Sequence, residues 1–449
     1  MAHFAGFLGF VLVVNAALLR RPVAATNVGL ALLIAVPSFD IGTLTGVPYD
    51  GSKGGLPAVT AATWYFLVAL LLRLPTRTSV GQGIVRAVPL WLLAFLVFAF
   101  LDVGLHRGRG LSQVMDVFLG PLAAACVMSI ESLRTPGYGE QVKRFLVRAG
   151  ALVAVIAVLE FSAGRALLFH QKFATAGLDK FYAEQTFRTF GTFDNPLNLA
   201  LFLLLALGCA STVNRTSRRL ALQALMLGGI AASGSRVGLA LGLVVIILQG
   251  TGAGASGGRG ALRALTGLGL GVVILQTTIG SLVSSRFQND SGSAGVRLAA
   301  FKGFLKVKHD YYVTGTGVGS SFDLSQQITG KTVSFENPII MTAVDLGVVA
   351  AALLLIGLLV LVARGTPGGT RVTAFCVLVT SLSYSSFGAK TEAGFVLFLA
   401  LALALLPVSS EQEPSGRAPR SEPQSLPGRS PAPTSALHAR SGRAPARLR

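Results

Sequence analysis

Three polar segments interrupt an otherwise apolar chain, and each carries side chains that could bind an anion or move a proton. The first, residues 184–200, reads EQTFRTFGTFDNPLNLA and leads from a polar stretch directly into an apolar one. Asp194 or Asn195 can cap a helix that has Pro196 in its first turn. Arg188 precedes this cap. Its guanidinium could bind a phosphate, or it could extend along apolar surface toward water beside an ordinary capped helix.

The second segment, residues 232–242, reads ASGSRVGLALG and places Ser235 and Arg236 between two apolar runs. A charge in apolar surroundings is costly, so Arg236 is expected to face a cavity or a partner. Alternatively, it ends a short hairpin at a membrane interface. The residues alone favour neither interpretation.

The third segment, residues 284–337, contains a predicted interfacial helix over 296–308. At about 100° per residue, one face of that helix combines apolar residues with Arg297, and the opposite face carries two lysines. We expect Arg297 to point inward, toward a carboxylate or a phosphate. The apolar residues of this face are Leu298, Phe301, Phe304 and Leu305, and the lysines are Lys302 and Lys306.

Two shorter motifs follow in the same segment. The glycine-rich residues 315–319 could present backbone N–H groups to a phosphate, or form an ordinary turn. Glu336 and Asn337 immediately precede an apolar run that begins at Pro338. A polar side chain there can cap a helix, and a carboxylate there can accept the proton of an attacking hydroxyl group.

The elements that must position these residues are membrane spans. The chain has 449 residues, of which 52% are hydrophobic and only 13% charged, and its mean hydropathy is +0.65. No Asp, Glu, Lys or Arg occurs in 195–214, 264–285 or 372–389. Such continuous apolar runs, without strict alternation, predict helices rather than a barrel in a bilayer. The sequence therefore predicts an all-α polytopic transmembrane bundle of about 12 or 13 spans.

Lys and Arg between the runs predict the orientation of these spans. The basic segments 132–148 and 214–219, Arg364, Arg371 and the tail fall on one side, which is then cytoplasmic. The long segments 165–195 and 284–337 fall outside, the second as a large extracytoplasmic loop with short helices. The predicted spans are 4–19, 22–39, 57–73, 87–103, 113–131, 149–164, 196–213, 220–235, 237–252, 264–283, 338–363, 372–388 and 393–408.

Composition also excludes several classes of protein. The net charge of +19 is spread between apolar runs and the tail, so nucleic-acid binding is not expected. The three cysteines lie in apolar runs, which argues against disulfides and zinc. The first run lacks a basic segment before it and is predicted to be a span rather than a signal peptide. Residues 1–408 form the membrane domain, and 409–449 are expected to be a disordered, basic cytoplasmic tail.

Together the three segments resemble the O-antigen ligase and O-antigen polymerase superfamily of bacterial envelopes, over roughly residues 184–360. RTFGTFDNPLNLA is similar to that family's entry to a span, and SGSRVGLALG is similar to its Ser-Arg turn. The outer segment with GTGVGS, followed by ENPIIMTAVDLGVVAAALLL, is similar to its final signature. Ligase members usually carry His-Asn where this chain has Glu336-Asn337, and His309 is the nearest histidine. The resemblance therefore favours polymerase-type or unclassified members of the superfamily.

The resemblance implies a multi-pass enzyme of the cytoplasmic membrane that transfers a glycan from a polyprenyl-diphosphate carrier. The acceptor would be a glycan or a lipid on the outer face of the membrane. Arg188, Arg236 and Arg297 would stabilise the diphosphate leaving group, so no metal or other cofactor is expected. Glu336 would accept the hydroxyl proton and Asn337 would orient the sugar. The further substrate-binding residues implied are Asn195, Asn198 and Ser235.

Two other classes of protein remain open. A glycosyltransferase that uses a polyprenyl monophosphate sugar would need a pair of acids in the first outer loop, where this chain has Asp40 and Asp50. A polysaccharide or lipid transporter would show repeats and charges at mid-membrane. Only Asp116 and Glu160 lie well inside apolar runs, and no internal repeat is detected.

Overall fold

In a computed structural model of the chain, the described residues form α-helices and short helical turns, with no β-strand among them. The all-α prediction is confirmed. The predicted span 264–283 and the tail 409–449 lie outside the described residues. The structure describes residues 2–41, 56–75, 80–106, 110–175, 187–251, 291–330, 335–366, 368–384, 386 and 392–406.

The α-helices are numbered here along the chain. They are α1 (Ala2–Ala17), α2 (Pro22–Ala35), α3 (Ala61–Arg73), α4 (Val80–Ala87), α5 (Leu90–Leu105), α6 (Leu111–Ser132, with a π-helical turn at Met115–Leu119), α7 (Tyr138–Ala163), α8 (His170–Thr175), α9 (Pro196–Cys209), α10 (Thr216–Ala232), α11 (Arg236–Thr251), α12 (Ser291–Val307), α13 (Ser320–Thr329), α14 (Pro338–Leu346), α15 (Val348–Arg364), α16 (Gly369–Ser381) and α17 (Ala393–Leu405).

Three helices form the centre of the bundle because they are apolar on every side. Every residue of α17 is buried, as is every residue of α9 except Leu197, and α6 is almost as fully enclosed. A helix that is hydrophobic all round must be surrounded by other apolar groups. Here α9 packs against α7, α10, α11, α16 and α17, and α6 packs against α3, α4 and α17.

The helices around this centre expose large apolar side chains instead of polar ones. Phe10 is 60% exposed on α1, Leu101 is 61% exposed on α5, and Leu152 is 64% exposed on α7. A surface in water rarely presents so much contiguous apolar area, which marks contact with lipid or with another protein. The outer surface of the bundle is therefore built for an apolar partner.

Helix length supports part of the predicted membrane topology. Two described helices, α6 and α7, are long and apolar enough to cross a bilayer, and the pair α4 and α5, bent by 81°, would be a third if it counts as one span. Eight other described apolar helices have between 10 and 17 residues. The structure thus agrees with a helical protein that contains membrane spans, and it does not confirm as many as 12 or 13.

Two distinct ends of the bundle can be traced through hydrogen bonds. Helix α2 begins near Thr26, whose hydroxyl bonds to the Tyr138 Oη atom at 2.7 Å, and ends before Ser38, whose N–H donates to Glu392 at 2.9 Å. Helix α17 leads away from Glu392 to Leu405, whose carbonyl accepts from Arg86. We call the end with Ser38 and Glu392 the site end, and the opposite end the far end.

A buried ion pair lies at the far end. Arg73 Nε donates to Glu131 Oε1 at 2.6 Å, and both side chains are almost completely buried. Removing one partner of such a pair would leave a buried charge and cost about 3–5 kcal/mol. The pair therefore ties α3 to α6 where both helices end.

Two predicted boundaries are wrong. Helix α7 begins at Tyr138 rather than near residue 149, because the charged residues of the predicted loop continue the helix. Glu140 and Lys143 pair on its first turns at 2.9 Å. The predicted span 338–363 is two helices, α14 and α15, separated at Gly347. That glycine has φ +101°, and a Cβ there would lie 2.5 Å from the carbonyl oxygen of Val313.

Candidate functional site

The segment that carries Arg188 is positioned by a buried carboxylate on α7. Glu160 Oε2 accepts from the N–H groups of Gly191 at 2.8 Å and Phe190 at 3.2 Å. Its other oxygen accepts from the N–H of Leu167 at 3.1 Å. Since a buried backbone N–H without a partner is costly, this carboxylate stabilises an irregular chain against an apolar helix. Glu160 thus has a structural role that its sequence position alone did not reveal.

The same segment also contacts the end of α10. The N–H of Thr189 donates to the carbonyl of Ala232 at 3.3 Å, which brings Arg188 beside the turn that contains Ser235 and Arg236. Both arginines are half-buried. The segment with Arg188 and the turn with Arg236 therefore meet at the site end. In sequence, Thr189 and Arg236 are 47 residues apart.

The Ser235–Arg236 turn is closed by hydroxyl groups. Ser233 Oγ donates to the carbonyl of Ile230 at 2.6 Å and ends α10. Ser235 Oγ accepts from the N–H of Gly238 at 3.1 Å and so caps the start of α11. Ser235 is buried in this position, whereas Arg236 occupies the first turn of α11 and is half-buried. Of this pair, Arg236 is the better placed to meet a ligand.

Asn195 and Asn337 both cap helices, as the pattern Asn-Pro predicts. The side chain of Asn195 accepts from the N–H of Leu197 at 2.8 Å. That of Asn337 accepts from the N–H groups of Ile339 and Ile340 at 3.0 and 3.2 Å. Their amide oxygens are therefore committed to the first turns of α9 and α14.

Asn198 belongs to a buried polar network that the sequence did not predict. Its Nδ2 donates to Asp194 at 2.8 Å and to Glu392 at 3.3 Å. Its Oδ1 accepts from the hydroxyl of Tyr384 at 2.8 Å, and the Ser38 hydroxyl donates to Asp194 at 2.5 Å. The fully buried amide of Asn198 thus bonds to Asp194, Tyr384 and Glu392, and Ser38 joins the network through the two acids. Asn198 organises the site end from within, instead of facing a substrate.

Two carboxyl groups in this network influence each other. Burial raises the pKa of Glu392 well above its usual range, and the nearby charge of Asp194 raises it further. Asp194 and Glu392 accept hydrogen bonds from the same amide of Asn198, so repulsion between the two carboxylates adds to the effect of burial on Glu392. An acid at the very start of an otherwise apolar helix was the one available signal for Glu392 in the sequence.

Glu336 occupies a strained backbone position. Its φ is +50°, in the left-handed region, although it carries a side chain. A residue other than glycine in such a conformation costs about 1–3 kcal/mol, and such strain clusters at functional sites. The residue is half-buried and stands immediately before the capped start of α14. Backbone strain therefore marks Glu336 as a candidate functional residue.

The glycine-rich residues 315–319 form a turn whose N–H groups are used within the protein. Thr316 and Gly317 donate to the carbonyls of Val344 and Asp345 at 3.0 and 3.1 Å. The Asp345 carboxylate accepts from the N–H of Ser321 at 2.7 Å, at the start of α13. A Cβ at Gly315 would lie 2.0 Å from the Asp345 carbonyl oxygen. Close packing explains the glycines, and the ordinary turn is the better interpretation.

The helix predicted around Arg297 is present as α12, but its predicted inward face is largely wrong. Phe304 is buried, whereas Leu298, Phe301 and Leu305 are exposed. The buried side of α12 centres on Phe304 because that ring packs on Tyr311 and Phe335 at 6.4 Å. The side chain of Arg297 lies outside the described residues.

Comparison with known proteins identifies no family for this chain. No family model matches the sequence, and no curated protein matches it at a significant level. The resemblance to the O-antigen ligase and polymerase superfamily therefore rests on the sequence motifs alone.

Proposed function

We propose that this protein is a multi-pass glycosyltransferase of the cytoplasmic membrane. It moves a glycan from a polyprenyl-diphosphate carrier to a glycan or lipid acceptor on the outer face. The observation that carries the proposal is that the segment with Arg188 lies beside the turn with Arg236 at the site end of an apolar bundle, as the hydrogen bond between the backbones of Thr189 and Ala232 shows.

The membrane location is supported by the exposed apolar surface and by the position of the basic residues. Arg134, Arg215 and Arg218 lie at the far end, next to the ends of α6 and α10. Short basic segments remain on the cytoplasmic side, which makes the site end extracytoplasmic. We include the shorter apolar helices among the 12 or 13 spans, since flanking turns extend them toward the interfaces.

The proposed reaction follows from the charges at the site end. The acceptor hydroxyl attacks the anomeric carbon, the bond from that carbon to the diphosphate oxygen breaks, and polyprenyl diphosphate leaves. Glu336 takes the hydroxyl proton. Arg188, Arg236 and Arg297 bind the growing negative charge, which low dielectric surroundings make more effective. Attack opposite the leaving group inverts the anomeric configuration.

Transfer from a diphosphate carrier is favoured over the two alternative classes of protein because the acidic residues that those classes would use have structural contacts here. Asp116 accepts from Thr60 and Thr63 at 2.7 to 2.9 Å, and Glu160 accepts from three backbone N–H groups. These contacts support local structure, whereas a transporter would place its acids along a path. In the first outer loop, Asp40 pairs with Lys172, and Asp50 lies outside the described residues.

The experiment is transfer in proteoliposomes that contain the purified protein and a defined lipid-linked oligosaccharide. The wild-type chain is expected to lengthen or transfer the glycan without added nucleotide sugar or metal. Arg297→Lys should be inactive at normal membrane levels, because an ammonium group cannot make the two parallel hydrogen bonds of a guanidinium. Arg218→Lys, at the far end, is the matched control. Full activity of Arg297→Lys would refute the assigned role.

A further inference from the structure

Helix α12 has one side that the rest of the described protein leaves uncovered. Leu298 is 53% exposed, Phe301 44% and Leu305 42%. At about 100° per residue these three lie within a stripe about 60° wide. The opposite side of the helix packs on the protein, where Phe304 is buried and a Cβ at Gly303 would lie 2.5 Å from Ile328. The exposed stripe is therefore an apolar surface on a helix whose other side is fixed.

Two lysines border this stripe. Lys302 and Lys306 are exposed, and helical geometry places them about 40° and 80° from Leu298, on the edge of the stripe away from Phe304. Apolar residues flanked by lysines on one side of a helix are typical of helices that lie in a membrane interface. There the apolar side chains enter the acyl chains while the ammonium groups remain among the phosphates.

Exposed apolar residues also follow α12 and occur on a predicted span that the chain after α12 contacts. Tyr312 and Val313, just after α12, are 48% and 61% exposed. The carbonyl of Tyr312 accepts from the N–H of Val349 at the start of α15. Along α15, Val349, Ile356 and Leu359 lie on one side of the helix and are exposed. The chain after α12 is therefore tied to a predicted span whose outer side is apolar.

We propose that α12 lies in the outer interface of the bilayer and binds anionic phospholipid. Leu298, Phe301 and Leu305 insert among the acyl chains, and Lys302 and Lys306 bind lipid phosphate groups. The inference rests on the membrane location in the proposed function and is independent of glycan transfer.

The test attaches an environment-sensitive fluorophore to Phe301→Cys in the full chain, reconstituted in nanodiscs. The native cysteines are buried, and the unsubstituted chain, labelled in parallel, measures any background. Leu359→Cys on α15 reports the membrane itself, and Gln327→Cys on the exposed side of α13 reports water. We expect lipids with a spin label on the upper acyl chain to quench positions 301 and 359, and iodide in the buffer to quench position 327.

The other outcomes separate the two proposals. Quenching of position 301 by iodide, with position 359 quenched by lipid, overturns the inference and leaves the membrane location standing. Quenching of position 359 by iodide overturns both. If position 301 is shielded from iodide and from lipid alike, protein covers the stripe, and the inference is wrong.

The lysines are tested with spin-labelled phosphatidylglycerol and phosphatidylcholine at the same position. Phosphatidylglycerol should quench more strongly at equal content, with a preference of up to about five-fold per lysine, equivalent to about 1 kcal/mol. The double variant Lys302→Gln, Lys306→Gln should lose this preference, and Lys302→Arg, Lys306→Arg should retain it. Equal quenching of the wild-type chain by both lipids would overturn the anionic specificity.

Discussion

The carboxylate of Glu160 accepts a hydrogen bond of 2.8 Å from the N–H of Gly191, a residue 31 positions later in the chain. This contact lies inside an apolar bundle and positions the chain segment that carries Arg188. In the sequence, Glu160 has the position of a charge in the middle of a membrane span. In the structure, its carboxylate supports an irregular segment of the chain. The arginine-bearing part of the candidate site depends on it.

Replacing this carboxylate should loosen the segment. In Glu160→Gln the amide nitrogen cannot accept a hydrogen bond, so at least one N–H group among Leu167, Phe190 and Gly191 loses its partner. Each orphaned donor costs about 1–3 kcal/mol. We expect a lower Tm in detergent and reduced glycan transfer. Glu140→Gln, which affects one part-buried ion pair away from this segment, should lower the Tm less and leave transfer unchanged. An unaltered Tm for Glu160→Gln would contradict the assigned role.

Arg188 and Arg236 should act directly on the reaction. Arg188→Ala and Arg236→Ala are each expected to lower kcat for transfer by roughly 100-fold or more, as the removal of one charge-stabilising donor does. Single-turnover transfer from the lipid-linked donor measures this effect. Arg218→Ala, at the far end, provides the control. Wild-type rates in both site variants would remove the basis for the proposed function.

Because the backbone at Glu336 is strained, substitutions there are expected to affect stability and activity differently. Glu336→Gly and Glu336→Ala both remove the carboxylate, so both should lose transfer, but only glycine accepts φ +50° without steric cost, so Glu336→Gly should have the higher Tm of the two. Glu336→Gln keeps the strain and the shape but removes the base, so it should be inactive. Thermal unfolding and the transfer assay on these variants test this. An active Glu336→Gln would show that another group accepts the proton.

The carboxyl pair predicts how stability changes with pH. The pKa of Glu392 is higher in the folded protein than in an unfolded chain, so the protonated group favours folding. That contribution is complete below the ordinary pKa of glutamate, about 4.3, and is lost as the pH rises through the raised pKa. The Tm in detergent should therefore fall as the pH rises through the raised pKa of Glu392.

Two variants isolate this group. Glu392→Gln stays uncharged at every pH, so its Tm should change less with pH than that of the wild-type chain. Glu140→Gln should retain the wild-type slope, since its carboxylate is partly exposed. Parallel slopes for the wild-type chain and Glu392→Gln would assign the pH dependence to other groups.

The close contact at Gly315 predicts that this position does not accept a larger side chain. Gly315→Ala would bring a Cβ to 2.0 Å from a backbone carbonyl oxygen that cannot rotate away, so it should destabilise the protein by about 1–3 kcal/mol or more. Gly104→Ala, where no atom lies within 4 Å, should be neutral or slightly stabilising. Thermal unfolding distinguishes the two. Equal Tm values would mean that the turn does not pack against α14 as described.

Local features of this protein were predictable from the sequence because they depend on neighbouring residues. Asn195 and Asn337, each followed by proline, predicted helix starts, and the structure confirms both caps. Continuous apolar runs predicted an all-helical chain. The charged start of α7 was missed, since hydropathy detects apolar turns and Glu140 and Lys143 continue the helix through polar ones.

Contacts between distant segments were decided only by the tertiary structure. Asn198 and Glu392 are 194 residues apart, and Ser38 and Glu392 are 354 apart. No local pattern encodes such a pairing, because it arises from the order in which apolar helices surround α9. The exposed side of α12 was likewise set by what Phe304 contacts and not by helical periodicity. The sequence by itself determined the helices and their caps, while packing decided which polar ends meet.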